Sequence, residues 1–265
     1  MDKYDDLIKK ESFNLDDLVL IMEILMSPEG CPWDRKQTHE SLRRSLIEEA
    51  YEALEAIELK DDALLCEELG DVLLQVIFHA CISDTFSIGD VLNGICRKLI
   101  SRHTHVFGSV KAGTADEALE NWESNKRLEK GQTDYAGELK RVPANLPALM
   151  RAYKVQQKAR EAGFDWDDII PVLDKVGEEL SELRAAIASG DASDIENETG
   201  DLLFASVNLS RFAKTHPELA LNASTEKFIR RFEAMEKMAE SEGLALSGMS
   251  LEEMDVYWER VKTCT

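Results

Sequence analysis

Two groups of acidic residues occur twice in the sequence with the same spacing. The first group has the form E-E-x-x-E and consists of Glu48, Glu49 and Glu52, then of Glu178, Glu179 and Glu182. The second has the form E-x-x-D and consists of Glu68 and Asp71, then of Glu198 and Asp201. In both copies, 16 residues separate the last glutamate of the first group from the glutamate of the second. Because a helix turns by roughly 100° per residue, each group lies on one helix face.

Carboxylates at this density raise each other's pKa values unless a cation neutralises them, and all-oxygen ligation suits Mg²⁺, with Mn²⁺ as the alternative. We predict that Glu179, Glu182, Glu198 and Asp201 bind the metal and that Glu178 is catalytic. The attacking water would be activated by the metal or by one of the glutamates as a base. The predicted second set of ligands is Glu48, Glu49, Glu52, Glu68 and Asp71. Mg²⁺ usually binds substrate phosphates, so the expected ligand is a nucleotide polyphosphate. A solvated acidic helix face would explain one E-E-x-x-E group in so acidic a chain, but not the paired recurrence.

Basic and aromatic residues suggest where phosphates and a base would bind. Lys227 and Arg231 share a helix face and could stabilise charge on a leaving pyrophosphate, which makes them candidate catalytic residues. Trp258 offers a surface on which a base could stack, with Lys262 one turn further on. A buried core tryptophan and a solvated basic pair are the alternative interpretations.

The elements that must position these residues are predicted to be helices. Apolar residues recur at helical spacing between Leu46 and Ile57. Three S/T-x-x-E patterns resemble capping boxes, beginning at Thr114, Ser193 and Ser250. The sequence contains six prolines and no convincing strand-turn-strand pattern. We therefore predict an all-α fold.

Five short blocks occur twice in the same order, which indicates a tandem duplication of a helical-bundle module. They are G-x-x-W-D from Gly30 and Gly163, the two acidic groups, K-x-x-x-R from Lys98 and Lys227, and W-x-x-x-K from Trp122 and Trp258. Their offsets are 133, 130, 130, 129 and 136 residues. A polar stretch with two glycines and two prolines separates the copies. We predict an N-terminal module at 1–128, a linker at 129–147 and a catalytic C-terminal module at 148–265.

The bulk composition excludes several classes of protein. The 265 residues carry a formal charge of −21, which opposes binding of nucleic acid or an anionic membrane. Five cysteines without a C-x-x-C pair favour a reducing cytoplasm over a disulfide framework. The N-terminus has no apolar signal core, and Val72 to Ile82 is too short to span a bilayer. No P-loop or Rossmann glycine motif occurs.

Nearly the whole chain resembles the MazG nucleoside triphosphate pyrophosphohydrolases. The first half is similar through GCPWDRKQTHESLRRSLIEEAYEALEAI, CEELGDVLLQVIFHA and RHTHVFG. The second half is similar through LPALMRAYKVQQKAREAGFDW, DKVGEELSEL and ETGDLLFASVNLSRF. The resemblance implies an all-α fold of two MazG-type modules and a homodimer with intertwined helices. It also implies Mg²⁺-dependent cleavage of nucleoside triphosphates to monophosphate and pyrophosphate, with broad base tolerance, to remove aberrant nucleotides from the pool.

One asymmetry favours the second half as the catalytic one. Arg151, Lys154 and Lys158 form a basic stripe before the second G-x-x-W-D block, and at the offset of 133 the first half has Leu18, Ile21 and Leu25. We predict that this stripe meets the triphosphate, although a solvated face would look the same. The resemblance likewise implies that the second module carries the activity. Competing hypotheses are a nucleotide sensor without turnover and a narrower relative, such as an all-α dUTP hydrolase or a phosphoribosyl-ATP hydrolase.

Overall fold

The computed structural model describes residues 3–130 and 134–264, and every regular element in these ranges is a helix. This confirms the predicted all-α class. The chain divides into two compact units, Met1–Gly131 and Gln132–Thr265. Among the described helices, none combines the length and the apolar character needed to cross a membrane.

The described helices of the first unit are α1 (Lys3–Ile8), α2 (Leu15–Met26), α3 (Arg43–Leu59), α4 (Asp62–Cys81), α5 (Ile88–Arg102), α6 (Thr104–Phe107) and α7 (Ala115–Lys130). Those of the second unit are α8 (Tyr135–Lys140), α9 (Ala148–Glu161), α10 (Ile169–Ser189), α11 (Ala192–Phe212), α12 (Pro217–Ser241) and α13 (Leu251–Cys264). Helices α2, α3, α4, α5 and α7 correspond in order to α9, α10, α11, α12 and α13. The offsets of the five sequence blocks therefore relate whole helices.

A helical hairpin of the same construction lies at the centre of each unit. Helix α3 ends where Lys60 adopts a left-handed conformation with φ of 57°, and α10 ends where Gly190 does so with φ of 76°. The next residue caps the second helix of the hairpin, because its carboxylate accepts hydrogen bonds from two backbone N–H groups. These caps are Asp61 on α4 and Asp191 on α11. The tight turn makes the two helices antiparallel neighbours.

Two of the three predicted helix starts are confirmed. Thr114 Oγ1 accepts from the Glu117 N–H at 3.2 Å, and Ser250 and Glu253 form a reciprocal capping box. The prediction at Ser193 is wrong because Asp191 caps α11, with Ser193 in the first turn. Asp191 accepts from the N–H groups of Ser193 and Asp194, so the helix begins two residues before the predicted start.

The predicted linker at 129–147 includes α8, which packs against α9. Residues 131–133 of that linker lie outside the described part of the chain. The boundaries at 128 and 147 stay a prediction.

Candidate functional site

Three predicted metal ligands of the second unit meet at the α10–α11 hairpin. Glu179 and Glu182 lie one turn apart on α10, and Glu198 approaches them from α11. Each offers one carboxylate oxygen, and these three oxygens lie within 4.8 Å of one another. Glu179 is buried, and Glu182 is exposed. The antiparallel hairpin thus brings carboxylates that are 16 residues or more apart in sequence to one point.

The electrostatics of this cluster favour a bound cation. Desolvation raises the pKa of Glu182, and the nearby Glu179 and Glu198 raise it further. The positive charge of Lys175 lowers the pKa of Glu182. The Nζ atom of Lys175 lies 2.7 Å from Glu179 Oε1 and 2.8 Å from Glu178 Oε1. Hydrogen bonds to those two glutamates raise the pKa of Lys175 well above its ordinary value. A permanent cation therefore already lies beside the carboxylates.

The remaining two acidic residues of the predicted set occupy different positions. Glu178 is exposed and pairs with Lys175, and it is not among the three clustered carboxylates. Asp201 lies one turn beyond Glu198 on α11 and lines a cavity together with Glu179 and Lys175. The carboxylate cluster therefore adjoins that cavity through Glu179 and Asp201.

The cavity has a volume of about 440 Å³ and is surrounded by α9, α10, α11 and the loop after α9. This volume is within the range of small-molecule sites. Its walls are mainly apolar and aromatic, with a few polar groups. The lining includes the side chains of Gln156, Phe164, Trp166, Phe204, Asn208 and Arg211.

An ion pair fixes the loop that carries Phe164 and Trp166. Arg211 of α11 donates to Asp165 with an Nη1–Oδ2 distance of 2.9 Å, and it also donates to Asn208 Oδ1. The side chains of Arg211 and Asp165 are only 9% and 16% exposed. Gly163 starts the loop with φ of 85°, where any other residue would be strained. The G-x-x-W-D block of the second unit is thus a rigid wall of the cavity.

The first unit has a carboxylate cluster at the corresponding hairpin, with Asp71 as its third member in place of Glu52, the counterpart of Glu182. One oxygen each of Glu49, Glu68 and Asp71 lies within 4.8 Å of the others. Desolvation is the largest cause that raises the pKa of Glu49 and of Glu68, followed by neighbouring carboxylates that include Glu52. Glu48 points elsewhere, because it pairs with Arg44 at 2.6 Å on the exposed side of α3.

The first unit differs where the second has its cavity. At the block offsets, Val155, Ala159, Val172 and Asn208 correspond to Met22, Met26, Leu42 and Phe78. Three of these four larger residues are fully packed in the first unit's core, and the fourth, Met26, packs against it. Arg211 corresponds to Cys81, so the ion pair to the loop has no equivalent either. Apolar side chains thus take the positions that line the cavity in the second unit.

The structure does not bring the predicted basic stripe into the cavity wall. Arg151 and Lys154 are exposed, and Lys158 pairs with Glu161 at 2.7 Å. The residues of α9 that line the cavity are Val155, Gln156 and Ala159, which lie on the adjacent face of the helix.

The predicted residues of α12 and α13 also lie outside the lining of this cavity. Lys227 is exposed and Arg231 is half-buried. Trp258 packs against the Phe228 ring, with centroids 5.1 Å apart, and adjoins the apolar core between the two helices. Lys262 pairs with Glu259 at 2.5 Å. In the first unit, two basic residues of the matching blocks, Arg102 and Lys126, both lie over the Trp122 ring.

Several cavity residues were not singled out from the sequence, namely Gln156, Asp165, Lys175, Asn208 and Arg211, and Trp166 was noted only as part of the repeated G-x-x-W-D block. A position-by-position comparison at the offset of 130 contains the signal, because Lys175, Asn208 and Arg211 replace Ser45, Phe78 and Cys81. A charged or amide side chain in one copy, opposite a small or apolar one in the other, marks a site in one copy only.

Mg²⁺ fits the carboxylates of both clusters. Its oxygen ligands lie at about 2.0–2.1 Å, so that opposite ligands are about 4 Å and neighbouring ligands about 3 Å apart. The three oxygens of each cluster lie within 4.8 Å of one another, so they must move closer together to share one ion. The set is entirely oxygen, which suits a hard cation and gives no thiolate or imidazole preference for a softer one.

The fold and these paired clusters belong to a known class. The MazG nucleotide pyrophosphohydrolase domain matches the chain twice, at residues 37–107 and 169–236. The chain therefore belongs to the MazG family, and the double match confirms the predicted tandem duplication.

Relatives match over almost the full chain. A protein of Thermotoga maritima named nucleoside triphosphate pyrophosphohydrolase/pyrophosphatase MazG is 46% identical over 258 residues, which cover 96% of this chain and 98% of its own. The nucleoside triphosphate pyrophosphohydrolase of Escherichia coli K12 is 42% identical over 254 residues, covering 94% and 97%. The protein YabN of Bacillus subtilis, uncharacterized, is 46% identical over 246 residues, covering 91% of this chain and 50% of its own.

Proposed function

We propose that this protein hydrolyses nucleoside triphosphates to the monophosphate and pyrophosphate, with Mg²⁺ and with broad tolerance of base and sugar. The observation that carries this proposal is the cluster of Glu179, Glu182 and Glu198 beside a cavity large enough for a nucleoside. The names of the relatives from Thermotoga maritima and Escherichia coli support the same reaction. Such an activity would remove aberrant nucleotides from the cellular pool.

The metal would be held by Glu179, Glu182, Glu198 and Asp201. When bound, Mg²⁺ supplies charge to the phosphates and lowers the pKa of a nearby water. Glu178 is proposed to take the proton from the attacking water, whose oxygen forms the new bond to phosphorus while the bond between the α- and β-phosphates breaks. Lys175, which pairs with the proposed ligand Glu179 and with the proposed base Glu178, would offset charge on the triphosphate. Lys227 and Arg231 remain proposed ligands of the leaving pyrophosphate.

Catalysis is assigned to the second unit because only there does the cluster adjoin the described cavity. The first unit is proposed to bind Mg²⁺ through Glu49, Glu68 and Asp71 without room for a nucleoside in the corresponding place. Its role would then be structural or regulatory.

The direct test is a panel of the common NTPs and dNTPs, assayed for pyrophosphate and for orthophosphate, with Mg²⁺ and with EDTA. We expect pyrophosphate and monophosphate from most of the panel and loss of turnover in EDTA. Nucleotide binding without any turnover would support a sensor instead. Turnover of a single nucleotide would support one of the narrower hydrolases.

We also propose that the protein is a homodimer in the cytoplasm and does not bind nucleic acid. Leu173, Leu180 and Ile187 follow one another at seven-residue spacing on α10, and each is at least 40% exposed in the single chain. A second copy would cover such a stripe, as two helices do in a bundle. Light scattering should give the mass of two chains, and replacement of Leu180 by Lys should shift it to that of one.

A further inference from the structure

The side-chain amide of Gln156 makes a hydrogen bond through its nitrogen but not through its oxygen. Its Nε2 donates to the carbonyl oxygen of Phe204 at 2.8 Å. A carbonyl oxygen can only accept, so the NH₂ group must face Phe204 and Oε1 must be the other amide atom. That oxygen is buried without a hydrogen-bond partner, on a side chain that is 7% exposed and lines the cavity.

A buried acceptor without a donor is unfavourable. The desolvation of such an atom is not compensated, and most buried polar groups in folded proteins are therefore paired. The Gln156 side chain cannot relieve this by turning its amide over, because Oε1 would then face the Phe204 carbonyl oxygen. The arrangement favours a ligand that brings a donor into the cavity.

The position of Gln156 indicates which part of a nucleotide this would be. Along α11, the acidic residues Glu198 and Asp201 precede Phe204, which precedes Asn208 and Arg211. Phe204 lies about 5 Å further along the helix axis than Asp201. With the phosphates at the carboxylates, the nucleoside extends towards Phe204 and the loop that carries Phe164 and Trp166. Aromatic rings there suit the faces of a base, and Gln156 lines the same cavity.

We propose that Gln156 Oε1 accepts a hydrogen bond from an N–H group of the nucleobase, an inference that rests on the proposed nucleotide substrate. Every common base carries at least one N–H donor on its exposed edge. A single acceptor therefore holds any of them, consistent with broad tolerance, but disfavours a base with no N–H. The first unit has Glu23 at the corresponding position and offers no such amide.

The test compares nucleotides that differ only in this donor. Purine riboside triphosphate is ATP without the amino group, and pyrimidin-2-one riboside triphosphate is CTP without it, and neither base retains an N–H. For the wild-type protein we expect kcat/KM to be about tenfold to a hundredfold lower for each analogue than for its parent, mainly through KM. Gln156→Met should reduce ATP and CTP to the level of the analogues.

Gln157→Met is the matched control, because Gln157 is the exposed neighbour on the same helix, and it should keep the full preference. Equal rates for parent and analogue in the wild type, or an undiminished preference in Gln156→Met, would overturn the proposal. The wild-type comparison stands even if Gln156→Met does not fold, which circular dichroism would show.

Failure of the hydrolase proposal would look different, since the wild type would then release no pyrophosphate from any nucleotide. In that case the same pairs are compared by Kd in calorimetry with Mg²⁺. A Kd at least tenfold lower for ATP than for purine riboside triphosphate supports the role of Gln156, and equal Kd values contradict it.

Discussion

The two units of the molecule share a carboxylate cluster and differ in what surrounds it. In both, an antiparallel hairpin with the same capping aspartate brings three acidic side chains together. In the second unit, Val155, Ala159 and Asn208 leave a cavity beside the cluster. In the first, Met22, Met26 and Phe78 occupy the corresponding positions in or against the core.

The difference separates two requirements of a nucleotide site. Holding a cation needs a few acidic residues at fixed helical spacing, and the duplication preserved these in both copies. Holding a nucleoside needs empty volume, and an empty cavity lowers the stability of the folded protein. Large apolar residues that fill the cavity remove the space for a nucleoside. The second unit has this volume, and its mostly buried ion pair, Arg211–Asp165, connects the loop to α11.

Removal of the Arg211–Asp165 ion pair should cause the largest change in stability, and it should affect only the second unit. Arg211→Met leaves Asp165 without its closest partner in a mostly buried position and should lower the unfolding free energy of the second unit by about 3 kcal/mol. Calorimetry should show a lower Tm for that unit alone. Arg160→Met is the control, since Arg160 is 67% exposed at 3.7 Å from the same carboxylate and should cost less than about 1 kcal/mol. Equal effects of both variants would show that the pair is not important for the loop.

Filling the cavity should make the second unit resemble the first. Ala159→Met introduces the residue found at the corresponding position of the first unit and should lower kcat/KM for ATP by about tenfold to a hundredfold, since lost volume excludes the nucleoside. The carboxylates are untouched, so Mg²⁺ binding should persist. Ala185→Met places the same side chain on the exposed face of α10 and should leave kinetics unchanged. Full activity in Ala159→Met would place the substrate elsewhere.

The smallest of the three effects is shared by both units. Because the folded state raises the pKa values of Glu49, Glu68 and Glu182, these groups favour folding below their ordinary pKa of 4.5, and this contribution is lost as the pH rises through the raised values. Mg²⁺ binds the ionised form, so it should stabilise the protein at pH 7 and have little effect near pH 4.5. At ten times its Kd the gain is about 1.4 kcal/mol per unit, measurable as a Tm difference between Mg²⁺ and EDTA. A Tm difference that does not change with pH would contradict metal binding by these carboxylates.

Much of this architecture could be predicted from the sequence, because helical periodicity and repeat offsets are local signals. The acidic groups predicted the carboxylate clusters for the same reason, although their first glutamates, Glu48 and Glu178, pair with Arg44 and Lys175 instead. The cavity was not predicted, as it depends on which residues of three helices and a loop meet. The surroundings of Trp258 depend likewise on the packing of α12 against α13, and an isolated W-x-x-x-K block contains no information about Phe228.

The basic stripe of α9 illustrates the same limit. Spacing placed Arg151, Lys154 and Lys158 on one face, but it could not indicate that the adjacent face, with Gln156, borders the cavity. The hydrogen bond from Gln156 to Phe204 of α11 identifies that face, and the sequence does not show this contact.

The central claim, that the second unit is the catalytic one, is tested most directly by pyrophosphate release from ATP in Glu198→Ala and Glu68→Ala. These residues correspond to each other and each belongs to its unit's cluster. We predict that Glu198→Ala loses at least about a hundredfold in kcat/KM, as expected for a metal ligand, while Glu68→Ala retains most of the activity. Loss of activity in Glu68→Ala with turnover intact in Glu198→Ala would contradict the account.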